Sequence, residues 1–325
     1  MDKSYLITTY RSADSYSKKH VFQAVRDSIV FEASSFFLPK LNRYDLCISS
    51  TAGCSLGCKI CQCSYSAVRH DQYDRVLTSA EIMDQIDFLL QDGKEFITDD
   101  TMVLVGFMGN GDPFNNTVEI VDAIKMSHNQ YHNIVYRYGI STIGVNLAKS
   151  IDLLTNLSLK EKVIIWLQFS LISTDEDIRK DILPNSPPII EAVPLLDQYS
   201  MQTGNPVRYN FPMIEGINNS TEDLNRIVKF VSGNPQTRMV KLSTYNEISN
   251  KIYRPCSDDV IEKSAEYLRK QGVKVDVFYG NRDKEVRGSC GQLRELPLIS
   301  KPHLSISATN TILDHEGAVD QRANY

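Results

Sequence analysis

Short apolar runs alternate with amphipathic segments along most of the chain. The runs have the length of strands and are nearly continuous in apolar residues, as in Val163-Ile-Ile-Trp-Leu-Gln-Phe. Such runs are typical of parallel strands that are covered on both faces. The predicted strands span 102–107, 134–141, 163–170, 207–213, 239–244 and 273–279.

The segments between these strands have helical patterning, and two of them follow capping residues. Thr78 precedes one segment, and Ser220 or Thr221 precedes another; such hydroxyls accept hydrogen bonds from the first helical turn. The predicted helices lie near 79–92, 116–127, 146–155, 188–198, 221–231 and 257–271. This alternation predicts an α/β fold, a partial or full β/α barrel with its chemistry at the C-terminal ends of the strands.

One catalytic domain with two extensions is the simplest organisation. Residues 1–45 are less regular in pattern and form an N-terminal extension, 46–299 form the barrel, and 300–325 form a polar tail. The chain contains no internal repeat, low-complexity tract or Pro/Gly/Ser-rich linker.

Composition narrows the class of protein. The 325 residues are 42% hydrophobic, enough to bury a full core, and carry a formal net charge of -5, which argues against a large, indiscriminate polyanion-binding face. The seven cysteines are odd in number and clustered, as expected of reduced thiols in a cytosol. No signal-peptide or membrane-spanning apolar run occurs. We therefore expect a cytoplasmic monomer without membrane partners.

The most specific chemical signal is Cys54-Ser-Leu-Gly-Cys58-Lys-Ile-Cys61, which follows the strand-like Asp45-Leu-Cys-Ile-Ser. Thiolates at this spacing can hold a four-iron, four-sulfur cluster and leave one iron free for a small molecule. This is the spacing of radical S-adenosylmethionine (SAM) enzymes. The alternative is a zinc site completed by Cys63, although structural zinc sites usually use two separated ligand pairs or add a histidine. We interpret Cys63 and Cys256 as packing residues or bystanders.

A second candidate segment, Met108-Gly-Asn-Gly-Asp-Pro-Phe-Asn, follows the predicted strand 102–107. Its glycines let the backbone approach a ligand, and Asp112 can accept a hydrogen bond from an ammonium group. The same residues also fit an ordinary turn. Its position one unit after the cysteine run makes it a candidate site for the amino end of SAM.

These features resemble the RlmN/Cfr family of radical SAM adenine methyltransferases, with matches from about residue 32 to 295. The matching blocks are Leu46-Cys47-Ile-Ser-Ser, Gly109-Asn-Gly-Asp-Pro, Ser141-Thr-Ile-Gly-Val, Ser170-Leu171 with Asp177-Ile-Arg179 and Pro184, Asn246, and Ser289-Cys-Gly-Gln-Leu. The resemblance implies a radical SAM barrel with one 4Fe-4S cluster, SAM, and an electron donor such as flavodoxin or ferredoxin.

The resemblance also implies a two-cysteine reaction. Cys290 takes a methyl group from one SAM, and a radical made from a second SAM converts that methyl into a methylene radical. This radical adds to an electrophilic amidine carbon of adenine, and Cys47 then releases the product by forming a disulfide with Cys290. A base must also remove the proton from the attacked carbon. Glu32 is the match for this base, and it stands about two residues farther from Cys47 than in the family pattern. The alternative for Glu32 is an ordinary surface carboxylate. The alternative for Cys47 and Cys290 is a pair of inert, buried thiols.

By the same resemblance, six residues contact SAM: Gly111, Asp112, Ser141, Ser170, Ile172 and Asn246. Ile172 stands where the family usually has histidine, so only a backbone or apolar contact carries over. Asp112 replaces a glutamate and has a shorter reach. Arg282 and Arg287, shortly before Cys290, either meet phosphate or are solvated.

The acceptor is less determined than the chemistry. RNA-modifying members of the family have a small N-terminal helical domain, and we expect it to be absent or reduced here because only about 46 residues precede Cys47. Basic and aromatic residues near the start, Tyr10-Arg11, Tyr16 and Lys18-Lys19-His20, either grip nucleic acid or form a solvated face. The favoured acceptor is adenine in ribosomal or transfer RNA; the alternative is a nucleotide, small molecule or peptide.

Overall fold

The structure, a computed structural model, describes residues 3–65, 75–280, 286–289 and 291–293. Its strands are β1 (Ser4–Arg11), β2 (Ser17–Ala24), β3 (Val30–Leu38), β4 (Arg43–Ile48), β5 (Thr51–Ala52), β6 (Arg75–Val76), β7 (Met102–Phe107), β8 (Val135–Thr142), β9 (Ile165–Ser170), β10 (Val207–Met213), β11 (Arg238–Thr244) and β12 (Val275–Phe278). β5 and β6 pair with each other. The other ten form one sheet, in which each strand lies beside the next one in the chain.

Seven of these strands, β4 and β7 to β12, run parallel to one another. The sheet is curved, because Asp45 on β4 and Asp276 on β12 lie at opposite ends of the parallel array yet line the same cavity. It is not closed, since within the described residues β12 pairs only with β11. The predicted α/β fold is confirmed, and its barrel is a partial one.

Helices join successive parallel strands. They are α1 (Ser79–Asp92), α2 (Thr117–Tyr131), α3 (Leu147–Glu161), α4 (Glu176–Ile182), α5 (Ile189–Thr203), α6 (Thr221–Ser232) and α7 (Asp258–Lys270). Thr78 caps α1 and Ser220 caps α6, and in each case an acidic residue at the third helical position closes a capping box. The six predicted strands and the six predicted helices are confirmed, but α3 and α5 extend six and five residues past their predicted ends, and α4 was not predicted.

The prediction of an irregular N-terminal region is wrong. β1, β2 and β3 form an antiparallel meander that continues the sheet through β4. The reason is that β2 buries polar residues, which hides a hydrophobic pattern. Lys18 is 1% exposed and pairs with Asp92 at 2.9 Å, and burial lowers the pKa of His20 to about 3, so this imidazole is neutral.

The same burial changes the interpretation of the basic and aromatic residues near the start. Tyr10, Lys18, Lys19 and His20 are all buried, and Arg11 pairs with Asp92 at 2.8 Å. These side chains therefore support the fold and do not form an open surface for nucleic acid. The division of the chain at residue 45 stays a prediction, and the tail 300–325 lies outside the described residues.

The apolar core lies between the sheet and its helices. Fully buried side chains from successive strands, such as Val105, Ile140 and Leu167, contribute to it. The opposite face of the parallel strands encloses a lumen that contains glycines and charged residues. Of the helices among the described residues, none is both long and apolar enough to cross a membrane.

Candidate functional site

The cysteine run forms a loop directly after β4, at the C-terminal ends of the parallel strands. Cys54 and Cys58 are buried, and Cys61 is half-buried. All three line one cavity of about 190 Å³. This places the predicted cluster ligands where parallel strands of an open α/β sheet usually present their ligand sites.

The segment that follows β9 holds this loop in place. The backbone N–H of Lys59 donates to the carbonyl of Ile182 at 3.0 Å, and the Asn185 side chain donates to the carbonyl of Leu56 at 3.0 Å. Cys58 packs in a small apolar cluster with Ile182 and Leu183. Two chain segments far apart in sequence thus fix the position of the thiols.

Arg179 stabilises that segment from within. Its side chain has no exposed surface and donates to the hydroxyl of Ser186 at 2.8 Å and to the carbonyl of Ile143 at 3.2 Å. Burial lowers its pKa to about 10, so the guanidinium stays charged at neutral pH. The recurring Asp177-Ile-Arg179 block therefore supports the cysteine loop.

The thiols are electrostatically suited to an iron cluster. Burial raises the pKa of Cys54, and burial together with the neighbouring Cys61 and Cys54 raises the pKa of Cys58 well above its ordinary value. Three thiolates together are therefore unfavourable without a cation, and iron would supply the compensating charge. No group of three His, Cys, Asp or Glu side chains in the described part of the chain is arranged to hold a single metal ion.

All six predicted SAM-contacting residues line the same cavity as the three cysteines. They come from four parallel strands or the loops after them. Ser141 lies near the end of β8 and accepts a hydrogen bond from Gln168 at 2.8 Å. Gln168 in turn accepts from the ammonium of Lys241 at 2.8 Å. Ser141, Gln168 and Lys241, from three strands, thus form one chain of hydrogen bonds along the cavity wall.

Hydrogen bonds within the protein fix the position of the Asp112 carboxylate. Its carboxylate accepts from the Thr142 hydroxyl at 2.7 Å, the Ile143 N–H at 2.7 Å and the Phe114 N–H at 2.9 Å. Burial nevertheless raises its pKa to about 6. Asp112 therefore ties its loop to the end of β8, and only its remaining acceptor capacity faces a ligand.

The glycines beside Asp112 are required by packing between two loops. Gly111 has φ of +85°, and a Cβ atom there would lie 1.9 Å from the Thr51 hydroxyl. A Cβ atom on Gly109 would lie 2.5 Å from the hydroxyl of Ser49. These close approaches fix the loop against the chain that leads into the cysteine run, a reason that the motif alone did not indicate.

Ile172 is backbone-strained at the cavity wall. Its φ of +64° is a true outlier for a β-branched residue. The Asn218 side chain donates to the Ile172 carbonyl at 2.8 Å, and the Ile172 N–H donates to the carbonyl of Asn210 at 3.1 Å. Strain held in this way is typical of ligand sites.

Cys47 lines a second cavity, of about 340 Å³, within the lumen. This lumen cavity adjoins the cluster cavity, and Met108, Gln168, Lys241, Asn246, Phe278 and Gly280 line both. The two predicted regions of chemistry, cluster and Cys47, are therefore neighbours.

Cys290 lies outside the described residues, but both of its neighbours are described. Ser289 lines the lumen cavity with Cys47, and Gly291 lines the cluster cavity. The Ser34 hydroxyl donates to the carbonyl of Gly288 at 2.7 Å, and the Gln62 N–H donates to the carbonyl of Gly291 at 2.7 Å. Hydrogen bonds on either side anchor this segment between the two cavities.

Glu32 is not brought into either cavity. It is buried on β3, with its carboxylate 3.9 Å from the ammonium of Lys19, so the alternative of a surface carboxylate is wrong. Arg287 donates to the carbonyl of Glu247 at 3.3 Å, and Arg282 lies outside the described residues.

The sequence motifs missed the charged residues of the lumen. Arg137 and Arg208 lie on the two neighbours of Trp166's strand, with guanidinium carbons 3.6 and 3.8 Å from its ring. Asp45 and Lys241 also line this space. The sequence does contain a signal for these lumen residues: polar residues occur at alternate positions of otherwise apolar strands.

We expect Gly111→Ala to destabilise the protein and impair SAM binding, because the new methyl group clashes with Thr51. The matched control is Gly216→Ala, since Gly216 has a similar φ of +73° with nothing within 4 Å of a Cβ atom. The control loses roughly 1–2 kcal/mol from backbone strain alone, and Gly111→Ala loses more. Thermal unfolding and SAM titration measure the difference; equal losses would contradict the packing explanation.

Comparison with known proteins gives consistent relatives. No protein-family model matches the chain. The chain is 32% identical to a probable RNA methyltransferase of Dechloromonas aromatica, with alignment over 78% of this chain and 66% of the relative. It is 30% identical to a probable RNA methyltransferase of Stutzerimonas stutzeri, over 78% and 69%. It is 29% identical to a probable dual-specificity RNA methyltransferase RlmN of Chlorobium luteolum, over 79% and 69%.

The chain thus spans about two thirds of the length of these relatives. Its fold is similar to the crystal structure of a radical SAM methyltransferase from Sphaerobacter thermophilus, with a TM-score of 0.77 and 25% identity over 89% of this chain and 81% of that one. Sequence and fold therefore agree with the motifs: the chain belongs to the RlmN-like family of radical SAM methyltransferases.

Proposed function

We propose that this protein methylates an amidine carbon of adenine in RNA through two cysteines. One observation carries the proposal: the cluster cysteines and all six SAM-contacting candidates line one cavity, and this cavity adjoins the one lined by Cys47. A methyl donor and a thiol partner are thus within one continuous site.

Cys54, Cys58 and Cys61 would hold one 4Fe-4S cluster, and the fit rests on the cavity that the three thiols share. The cluster, when bound, supplies the single electron that cleaves SAM. Ser141, Ser170 and Asn246 would orient SAM by hydrogen bonds, together with the backbone at Gly111 and Ile172. Asp112 would contribute charge near the SAM ammonium group.

Cys290 would carry the methyl group, and Cys47 would release the product by forming a disulfide with it. The hydrogen bonds at Gly288 and Gly291 support this assignment, because Ser289 lines the cavity of Cys47 and Gly291 lines that of the cluster. The reaction requires such a position, since one thiol must meet SAM first and the acceptor afterwards.

RNA is the acceptor that the relatives favour, since their names describe RNA methyltransferases. We further propose a cytoplasmic monomer that receives electrons from a donor such as flavodoxin or ferredoxin. The test is mass analysis of RNA nucleosides from cells with and without the gene. Loss of a methyladenosine from the deletion strain supports the proposal; RNA of unchanged composition would favour the non-RNA acceptor.

Cys58→Ala should lose the bound cluster, because two thiolates would leave two of the four irons without a protein ligand. The control is Cys256→Ala, since Cys256 is equally buried but belongs to the apolar core. Iron and sulfide are measured after anaerobic reconstitution. Equal iron content in both variants, or zinc in place of iron, would contradict the cluster assignment.

Cys290→Ala should abolish methyl transfer and leave iron content unchanged, because this thiol only carries the methyl group.

Cys47→Ala should form the bond to RNA but fail to release it, which leaves a covalent adduct visible on a denaturing gel. Normal product turnover by the Cys47 variant would refute its role.

A further inference from the structure

Asp45 shares the lumen with Cys47. The two residues are separated by one position on β4, so their side chains are on the same face of the strand, with Cα atoms roughly 6.6 Å apart. Both line the lumen cavity. A flat ring that meets Cys47 at one edge could therefore meet the Asp45 carboxylate as well.

Two glycines leave room for such a ring. Cys47 pairs in register with Gly106 on β7, which pairs with Gly139 on β8. Glycine weakens a strand interior and often marks a close approach by a ligand. The atoms nearest to a Cβ position on Gly106 are the Leu46 carbonyl oxygen at 3.2 Å and the Met108 side chain at 3.6 Å, and those nearest on Gly139 are the Met108 side chain at 3.3 Å and the Leu104 side chain at 3.8 Å. The volume of about 340 Å³ is within the range of small-ligand pockets.

The Asp45 carboxylate has a free proton-accepting position. One oxygen accepts from Arg43 at 2.7 Å; the other is buried and has no hydrogen-bond partner among the described residues. Burial raises the pKa of Asp45, and the charges of Arg43 and Lys241 counteract that rise. The carboxylate is therefore more basic than an exposed one, which together with its free oxygen suits a general base.

Glu32 lacks these properties. It lines neither cavity, and its carboxylate lies 3.9 Å from the Lys19 ammonium, with both side chains less than a tenth exposed. Lys19 also lies over the Tyr10 ring at 5.4 Å. A carboxylate paired in this way stabilises the meander.

We propose that the lumen cavity receives the acceptor ring and that Asp45 is the base that removes the proton from the methylated carbon. In this step the ring C–H bond breaks, its electron pair stays with the ring, and the proton forms an O–H bond on Asp45. Solvent takes the proton before the next turnover. The inference rests on the proposed function.

The test compares single-residue variants on RNA from the deletion strain. Asp45→Asn should methylate Cys290 as the unmodified protein does, but release product at least about 100-fold more slowly, so that a covalent protein–RNA adduct accumulates. Asp45→Glu should release product faster than Asp45→Asn. The matched control is Asp276→Asn, which removes another lumen carboxylate and should not accumulate adduct. Iron content and the mass of the Cys290 peptide show that each variant is folded and loaded.

Adduct accumulation by Glu32→Gln with Asp45 intact would return the role to Glu32 and overturn the inference. Release by Asp45→Asn at the normal rate would overturn it too. Failure of the proposed function is distinguishable, because then Cys47→Ala forms no adduct with RNA and the unmodified protein transfers no methyl group.

Discussion

The attachment of the cysteine loop to the segment after β9 is the interaction on which the site depends. Backbone hydrogen bonds at Lys59 and Leu56, and apolar packing around Cys58, hold the loop. The fully buried Arg179 fixes the other side of the contact. Because protein contacts position the thiols, the cavity shared with the SAM-contacting candidates belongs to the fold itself.

The N-terminal meander has a related role on the opposite side of the site. Val286 packs with Tyr10 and Val21, and Ser34 binds the carbonyl of Gly288. These contacts anchor the chain just before Ser289. The region that the sequence places outside the barrel domain therefore supports the segment that leads to Cys290, the residue that we propose carries the methyl group.

The sequence predicted the parallel strands and helices well, because apolar residues dominate each strand, as in β9 (Ile165–Ser170), and each long helix has an apolar stripe. The cysteine run stands out because its spacing reflects chemistry, and the SAM-contacting candidates come from the family resemblance; the structure brings both to one cavity, and their roles stay predictions. The meander was not predictable, since β2 buries Lys18 and His20 through partners distant in sequence. The sequence also did not predict that Asp45 lines the lumen cavity while Glu32 does not, because this depends on the curvature of the sheet.

The central claim is that one site joins a cluster-bound SAM to a methyl-accepting thiol. The most direct measurement is incubation of anaerobically reconstituted protein with SAM that carries a deuterated methyl group, without RNA, followed by peptide mass analysis. The account predicts a labelled one-carbon addition on the peptide that contains Cys290. An unmodified Cys290 peptide from iron-loaded protein that binds SAM would contradict it.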